Sequence, residues 1–180
     1  GSFDFRSRVD FVRVPGVIKL RNGEYTSLNL GINFEQTIHM RAQIIKHTAD
    51  IFAPDIMIVD KEPMGLRGEV EDTLRMLKRR GTRLVLGLRD IMDDPSMLVP
   101  EWRRKKVMPA LSDLYDEIWV YGLPQICDPL KGLQVPRQVR RRMTYTGYLP
   151  RRAPTGPSTR PLPEIVSEPY VLVTTGGGGD

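Results

Sequence analysis

Residues 55–60 read Asp55-Ile56-Met57-Ile58-Val59-Asp60, a short and nearly unbroken apolar run. Such a run is typical of a parallel strand that helices cover on both faces. Before it, apolar residues recur every three or four positions from Phe34 to Phe52, which predicts an amphipathic helix that Pro54 stops. After it, a second helix is predicted from about Glu69 to Arg80, ending at Gly81.

The same alternation continues along the chain. Strands are predicted at residues 9–14, 82–88 and 117–122, and a helix at about 101–115 despite Pro109. Strands separated by helices of this length predict an α/β fold with a Rossmann-like, doubly wound parallel sheet flanked by helices. Right-handed crossovers would place those helices on alternate faces of the sheet.

Composition divides the chain into three segments. Residues 1–150 are predicted to form one Rossmann-like domain, and residues 151–169, which are rich in proline, an interdomain linker. Residues 170–180 would supply the first strand and a glycine-rich loop of a second domain. Because the chain starts without methionine and stops after the glycines, both ends look cut, and we expect the first domain to be incomplete at its N-terminus.

Charge and cysteine content narrow the class of protein. The 27 Lys and Arg residues against 22 Asp and Glu leave a net charge of +5, which suits phosphate-bearing partners but is too weak to indicate nucleic acid. The single cysteine, Cys127, excludes an internal disulfide framework and a Cys-based zinc cluster. With no run of about 20 apolar residues and no signal peptide, we predict a cytoplasmic protein whose membrane contact, if any, is peripheral.

The loop that follows residues 55–60 is the strongest site hypothesis. It carries both charge signs and two glycines at the sheet edge where open α/β sheets bind ligands. Lys61 and Arg67 could hold a phosphate or carboxylate, and Glu62 could orient sugar hydroxyls or act as a base. The alternative is a salt-bridged loop that caps the next helix.

The strand at residues 82–88 ends at Arg89 and Asp90, which should project from the same sheet edge as Lys61. Two adjacent loops would then form a cleft, in which Glu62 and Asp90 are the candidate catalytic carboxylates. Asp93 and Asp94 stand before Pro95, so a turn and a helix start explain them better than a metal site. We predict no metal.

Further polar and basic segments leave alternatives open. Gly176, Gly177, Gly178 and Gly179 follow a predicted strand, where backbone N–H groups could approach a phosphate, although a flexible tail has the same composition. The polar loop at residues 22–33 could close over a sugar or be disordered. His39 and His47 are predicted to be exposed or satisfied helical residues. The basic residues between 131 and 160 favour a solvated surface over a phosphate or lipid-headgroup site.

The stretch Pro54-Asp55-Ile56-Met57-Ile58-Val59-Asp60-Lys61-Glu62-Pro63-Met64-Gly65-Leu66, together with Gly87-Leu88-Arg89-Asp90-Ile91, resembles a bacterial group of predicted glycosyltransferases. That group is similar to the peptidoglycan N-acetylglucosaminyltransferase family, which has the two-domain GT-B fold. The segment from Thr144 to Pro150 looks like the point at which such chains leave their first domain.

The resemblance implies an inverting sugar transfer in a cleft between two domains, without a tightly bound metal or cofactor. Residues 1–150 would be the acceptor-side domain, and a nucleotide-sugar donor would bind the second domain. Since such enzymes place a catalytic histidine or acid before the point where this chain begins, no base is assigned and no turnover is expected from these residues alone. The resemblance does not identify the acceptor, for which a lipid-linked molecule and a polysaccharide are the candidates. The implied acceptor-binding residues are Lys61, Glu62, Arg67, Arg89 and Asp90, and the implied donor diphosphate-binding residues are Gly176, Gly177, Gly178 and Gly179.

Two other classes of function compete with this one. The first is a non-catalytic, flavodoxin-like module that binds a nucleotide or phosphate through its sheet-edge loops. The second is a nucleic-acid-associated protein that uses the basic segment 131–160. Aromatic residues there are sparse, Tyr145 and Tyr148 being the two, so we predict no nucleic-acid partner.

Overall fold

The computed structural model of the protein describes residues 9–21, 24–92 and 94–148. The predicted linker, the strand after it and the glycine run therefore lie outside the described residues. Within them the chain forms a short antiparallel hairpin and a four-stranded parallel sheet flanked by helices, so the Rossmann-like α/β prediction is confirmed. The strands are β1 (Val17–Lys19), β2 (Tyr25–Ser27), β3 (Ile56–Asp60), β4 (Arg83–Arg89), β5 (Glu117–Tyr121) and β6 (Met143–Tyr145). The helices are α1 (Phe34–Phe52), α2 (Glu71–Arg79), α3 (Pro95–Arg104), α4 (Val107–Asp113) and α5 (Arg137–Arg140).

Helix α1 has the bounds that its apolar periodicity predicts. A capping box starts it: the Asn33 side chain accepts from the Gln36 N–H at 2.8 Å, and the Gln36 side chain accepts from the Asn33 N–H at 3.1 Å. The helix ends at Ala53, whose φ of 45° is left-handed. Pro54 disfavours a helical conformation at the residue before it, so the local sequence sets both ends.

The parallel sheet has the strand order β3-β4-β5-β6. Because this order advances in one direction, right-handed crossovers put α2, α3, α4 and α5 on one face of the sheet, where α1 also contacts α2. The core on that side contains Leu84, Leu86 and Leu88, because every second side chain of β4 points to the same face of the sheet. The predicted placement of helices on alternate faces is therefore wrong for the described residues.

Strand β3 is an edge strand. Ile56 is 53% exposed and Ile58 is 47% exposed, whereas Val59 is buried. The prediction that helices cover this strand on both faces is wrong here, because an apolar run indicates hydrophobic character and not which face finds a partner.

Two further predictions need correction, and two short elements were not predicted. Residues 9–14 form no strand; Val12 and Val14 instead line an apolar groove with α1, although Val12 is still 59% exposed. The helix predicted at 101–115 is two helices, separated where Lys106 has a φ of 51°. Pro109 lies in the first turn of α4, where the lost N–H has no helical partner. Helix α5 and strand β6 were not predicted, since both are too short to show periodicity.

The start of α3 agrees with the predicted turn before Pro95. Asp94 is the N-cap, and its carboxylate accepts from the Ser96 N–H at 2.8 Å, which holds the pKa of Asp94 below its usual value. Asp93 lies outside the described residues. Among the helices that the structure describes, none has the length and apolar character to span a bilayer.

Candidate functional site

The loop between β3 and α2 turns tightly at the carboxyl end of β3. The Glu62 N–H donates to the Asp60 carbonyl at 2.8 Å, and the Gly65 N–H donates to the Glu62 carbonyl at 2.9 Å. Gly65 has a φ of 74°, and a Cβ there would lie 2.8 Å from the Cγ of Glu69. Both the backbone conformation and the close approach of Glu69 therefore require glycine.

A buried ion pair anchors this loop to α1. Arg41 donates from Nε to Glu69 Oε2 at 2.6 Å and from Nη2 to Oε1 at 2.7 Å, and its Nη1 donates to the Pro15 carbonyl at 2.7 Å. The Glu69 side chain is 5% exposed, so the carboxylate depends on Arg41 for its partners. The hydrogen bonding that Arg41 donates to Glu69 outweighs burial and raises the pKa of Arg41.

Sequence reasoning missed Arg41, although a signal for it was present. Arg41 lies three positions after Ile38 and four before Ile45, so it stands on the apolar stripe of α1. A charged residue on such a stripe calls for a buried partner. The sequence does not identify that partner, because Glu69 is 28 positions away.

A second anchor lies beneath the loop. The hydroxyl of Tyr115, which is fully buried, donates to the Pro63 carbonyl. Burial raises the pKa of Tyr115, so the phenol keeps its proton, and with it this hydrogen bond, to a higher pH than an exposed tyrosine would. The loop is thus held by one ion pair from α1 and one hydrogen bond from the residue that precedes β5 by two positions.

An open cavity of about 620 Å³ lies against the outer side of the loop. Tyr25 of β2 and the end of α3 complete its wall, so the predicted polar loop at 22–33 contains a strand that brings Tyr25 to the site. The charged residues of the wall, three acidic and three basic, are Glu62, Arg67, Glu71, Glu101, Arg104 and Lys105.

Most of these charges already have partners. Lys105 Nζ lies 3.0 Å from Glu62 Oε2 and 2.7 Å from Glu101 Oε1. Burial by itself would lower the pKa of Lys105, but the hydrogen bonds that Lys105 donates to Glu101 and Glu62 outweigh it and raise that pKa. Glu71 pairs with Arg75 at 2.7 Å, outside the wall of the cavity.

Two guanidinium groups of the wall have no carboxylate partner among the described residues. The Arg67 Cζ lies 5.5 Å from the centre of the Phe34 ring, which itself stacks on Tyr25 with a centroid separation of 5.9 Å. Arg104, at the end of α3, is exposed and has no such contact in the described part of the chain. Arg67 and Arg104, together called the arginine pair below, are the groups of this cavity best suited to bind an anion.

The structure divides the five predicted acceptor-binding residues. Glu62 and Arg67 line the cavity, whereas Lys61, Arg89 and Asp90 are not part of its wall. Lys61 has a φ of 64° and continues the ladder through its N–H to Gly87, and Arg89 is exposed at the end of β4. The cavity is therefore lined by the loop after β3 but not by the residues after β4, whereas the prediction was one cleft formed by both.

Asp90 belongs to a separate, buried cluster. One carboxylate oxygen accepts from the Ile91 N–H at 2.8 Å, and the other accepts from the Tyr148 hydroxyl. This hydrogen bond is the main cause that raises the pKa of Tyr148. A Cβ on Gly122 would lie 2.3 Å from the Cβ of Asp90, so the backbone immediately after β5 passes directly behind Asp90. These contacts tie the ends of β4, β5 and β6 together.

The basic segment is partly structural. Arg142 donates to the carbonyls of Ser112 at 2.8 Å and Tyr115 at 2.7 Å, next to the end of α4. Arg140 pairs with Asp128 at 2.6 Å, while Arg141 is exposed. The solvated-surface interpretation of this run is thus wrong for Arg142. His39 and His47 are exposed, as predicted.

No family model matches this chain, and no curated protein or solved structure matches it significantly. The resemblance to glycosyltransferases therefore stays a prediction. In the described ranges no group of three or more His, Cys, Asp or Glu residues could hold a metal ion. Gly176, Gly177, Gly178 and Gly179 lie outside those ranges, so their predicted contact with a donor diphosphate stays a prediction too.

Proposed function

We propose that this chain supplies the acceptor-side part of a glycosyltransferase that uses a nucleotide sugar as donor, and that the cavity beside the β3–α2 loop receives the acceptor. The observation that supports this proposal best is the arginine pair, Arg67 and Arg104, in a wall that also carries carboxylates. Guanidinium groups bind phosphate or carboxylate, and carboxylates accept hydrogen bonds from sugar hydroxyls. The wall thus suits an acceptor that has both an anionic group and hydroxyls.

Glu62 has a binding role in this proposal. Its carboxylate accepts from Lys105, which fixes it at the cavity wall where it can orient a hydroxyl. Asp90 has a positioning role, because its oxygens are committed to Ile91 and Tyr148. The catalytic base is left unassigned, and the donor is proposed to bind through Gly176 to Gly179 without a metal or a tightly bound cofactor.

A non-catalytic phosphate-binding module is the second candidate. It is favoured by one observation: both carboxylates that were candidates for acid–base chemistry, Glu62 and Asp90, already accept hydrogen bonds from protein groups. A module of this kind needs the arginine pair but no free base. The two proposals therefore share a binding prediction and differ in turnover.

The shared prediction is tested by calorimetric titration of the chain with hexose 1-phosphates and with the free hexoses. Each of the variants Arg67→Ala and Arg104→Ala should bind the phosphate about ten- to a hundredfold more weakly, since a hydrogen bond to a charged group contributes roughly 1.5–3 kcal/mol. Arg79→Ala is the matched control, because Arg79 is an exposed arginine at the end of α2 and is not part of the cavity. Equal affinity in all three variants would exclude the cavity as the anion site.

Turnover distinguishes the two candidates. In the complete two-domain enzyme that the first proposal implies, a thermal-shift screen against UDP, GDP and their sugars should raise the melting temperature with one nucleotide class. Release of that nucleotide when an acceptor is added would support transfer. Phosphate binding at the arginine pair without any nucleotide shift would favour the binding module.

A further inference from the structure

A second open cavity, of about 410 Å³, lies beside the junction between α3 and α4. Its wall contains residues from α3, from the start of α4 and from the segment 132–134, where a Cβ on Gly132 would lie 3.2 Å from the Cβ of Pro95. Arg104 and Lys105 of the same junction line the first cavity instead, and no described residue lines both. The second cavity, called the junction cavity below, is therefore a separate candidate site, with a volume in the range of small-molecule sites.

The charged residues in the wall of the junction cavity are both cations. Arg103 and Lys106 are exposed, and neither has a carboxylate partner among the residues that the structure describes. The wall of the first cavity, in contrast, carries as many acidic as basic residues. Two cations without an acid suit an anion. A phosphate monoester, with a charge of about −1.5 to −2 at neutral pH, matches them better than a carboxylate does.

Trp102 adds a third hydrogen-bond donor to this wall. The residue is only 5% exposed, and its indole N–H has no acceptor within the described ranges, whereas the N–H of Trp119 donates to Glu117 at 2.7 Å. The Trp102 N–H is not one of the fully buried atoms that lack a partner there, so it still reaches solvent. Because a buried indole N–H usually has an acceptor, a ligand in the junction cavity can supply the missing one.

We propose that the junction cavity binds a phosphate monoester whose organic group is apolar. The phosphate accepts hydrogen bonds from Arg103, Lys106 and the Trp102 N–H. The organic group packs on the half-buried apolar residues of the wall, which are Val99, Met108 and Leu133. Since the two cavities share no described residue, this inference is independent of the proposed function.

Tryptophan fluorescence tests the proposal at the cavity itself. The chain has two tryptophans, so Trp119→Phe leaves Trp102 as the single reporter. Titration of this variant with hexyl phosphate should change the fluorescence until the site is saturated. Hexanol lacks the charge and inorganic phosphate lacks the apolar group, so each should bind at least about tenfold more weakly. Either the absence of a saturable change with hexyl phosphate or equal affinity for inorganic phosphate would overturn the proposal.

Substitutions of the two cations, made in the same Trp119→Phe background, provide a second measurement. Arg103→Ala and Lys106→Gly should each raise the Kd for hexyl phosphate about tenfold or more, whereas Arg79→Ala, which changes an exposed arginine outside both cavities, should leave it unchanged.

Lys106→Gly keeps the test decisive if circular dichroism shows that Arg103→Ala has lost its fold. Lys106 has a φ of 51°, which glycine adopts without strain, so this variant should be at least as stable as the unchanged chain. A Kd in Lys106→Gly equal to that in Arg79→Ala would overturn the proposal. A loss of affinity in Arg104→Ala that Lys106→Gly does not share would place hexyl phosphate in the first cavity, and this result would overturn it as well.

Discussion

Replacement of Arg41 by alanine tests how the β3–α2 loop is held. The change removes two hydrogen bonds, of 2.6 and 2.7 Å, from a Glu69 side chain that is only 5% exposed. Breaking a buried ion pair by removing one partner costs about 3–5 kcal/mol, because the remaining charge is buried without compensation. Since the Arg41 side chain is 17% exposed and water can partly replace it, we expect a loss near the lower end, about 3 kcal/mol.

The double variant Arg41→Met with Glu69→Leu separates the loss of attraction from the cost of the orphaned charge. Replacing both partners by apolar residues is often neutral, apart from about 1 kcal/mol for the unpaired Pro15 carbonyl. We therefore expect the double variant to be more stable than Arg41→Ala. The assay is urea unfolding followed by circular dichroism, with the slope m compared between variants.

Two results would refute this reasoning. One is a loss below about 1 kcal/mol for Arg41→Ala, the range of a surface pair. The other is a double variant at least as unstable as Arg41→Ala. Arg41→Ala should also lower the affinity for hexose phosphate more than Arg79→Ala does, because the loop that carries Arg67 depends on the Arg41–Glu69 ion pair.

Two further predictions concern the packing around the site. Gly122→Ala should lower the melting temperature by several degrees, because the new Cβ would lie 2.3 Å from the Cβ of Asp90. Gly31→Ala is the control and should be close to neutral, because its Cβ meets no atom within 4 Å. Equal melting temperatures for the two variants would contradict the predicted clash. Burial raises the pKa of Tyr115, so the folded state retains its proton and stability should be complete below pH about 10 and fall as the pH rises above it. In urea unfolding at alkaline pH, Tyr115→Phe should show a smaller fall in the free energy of unfolding than the unchanged chain. At neutral pH the same variant should lose about 1 kcal/mol of stability, because the Pro63 carbonyl is left without its hydrogen bond. If stability fell as steeply with pH in the variant as in the unchanged chain, Tyr115 would not be the cause of that fall.

The order of helices and strands from α1 to β5 was largely predictable because it depends on short-range signals. The start of α1 follows from Asn33 and Gln36, and its end from Pro54, all within one turn of the helix boundary. The break between α3 and α4 escaped prediction, since only the left-handed Lys106 marks it.

The candidate site was predictable in part. Glu62 and Arg67 lie in the loop that follows β3, so the chain's own order places them at the sheet edge. Arg104 and Lys105 reach the same cavity from the end of α3, and Lys105 meets Glu62 across 43 positions of sequence. No local pattern specifies such a contact.

The sequence by itself determined α1, β3, α2, β4 and β5, that the fold is α/β, and that a charged loop follows β3, because periodicity, caps and prolines act over a few residues. The tertiary structure alone decided that the helices cover one face, that Asp90 is buried beneath Tyr148, and that Arg41 holds Glu69. These outcomes depend on which distant segments pack together, and that is settled by burial and by the need of each buried charge for a partner.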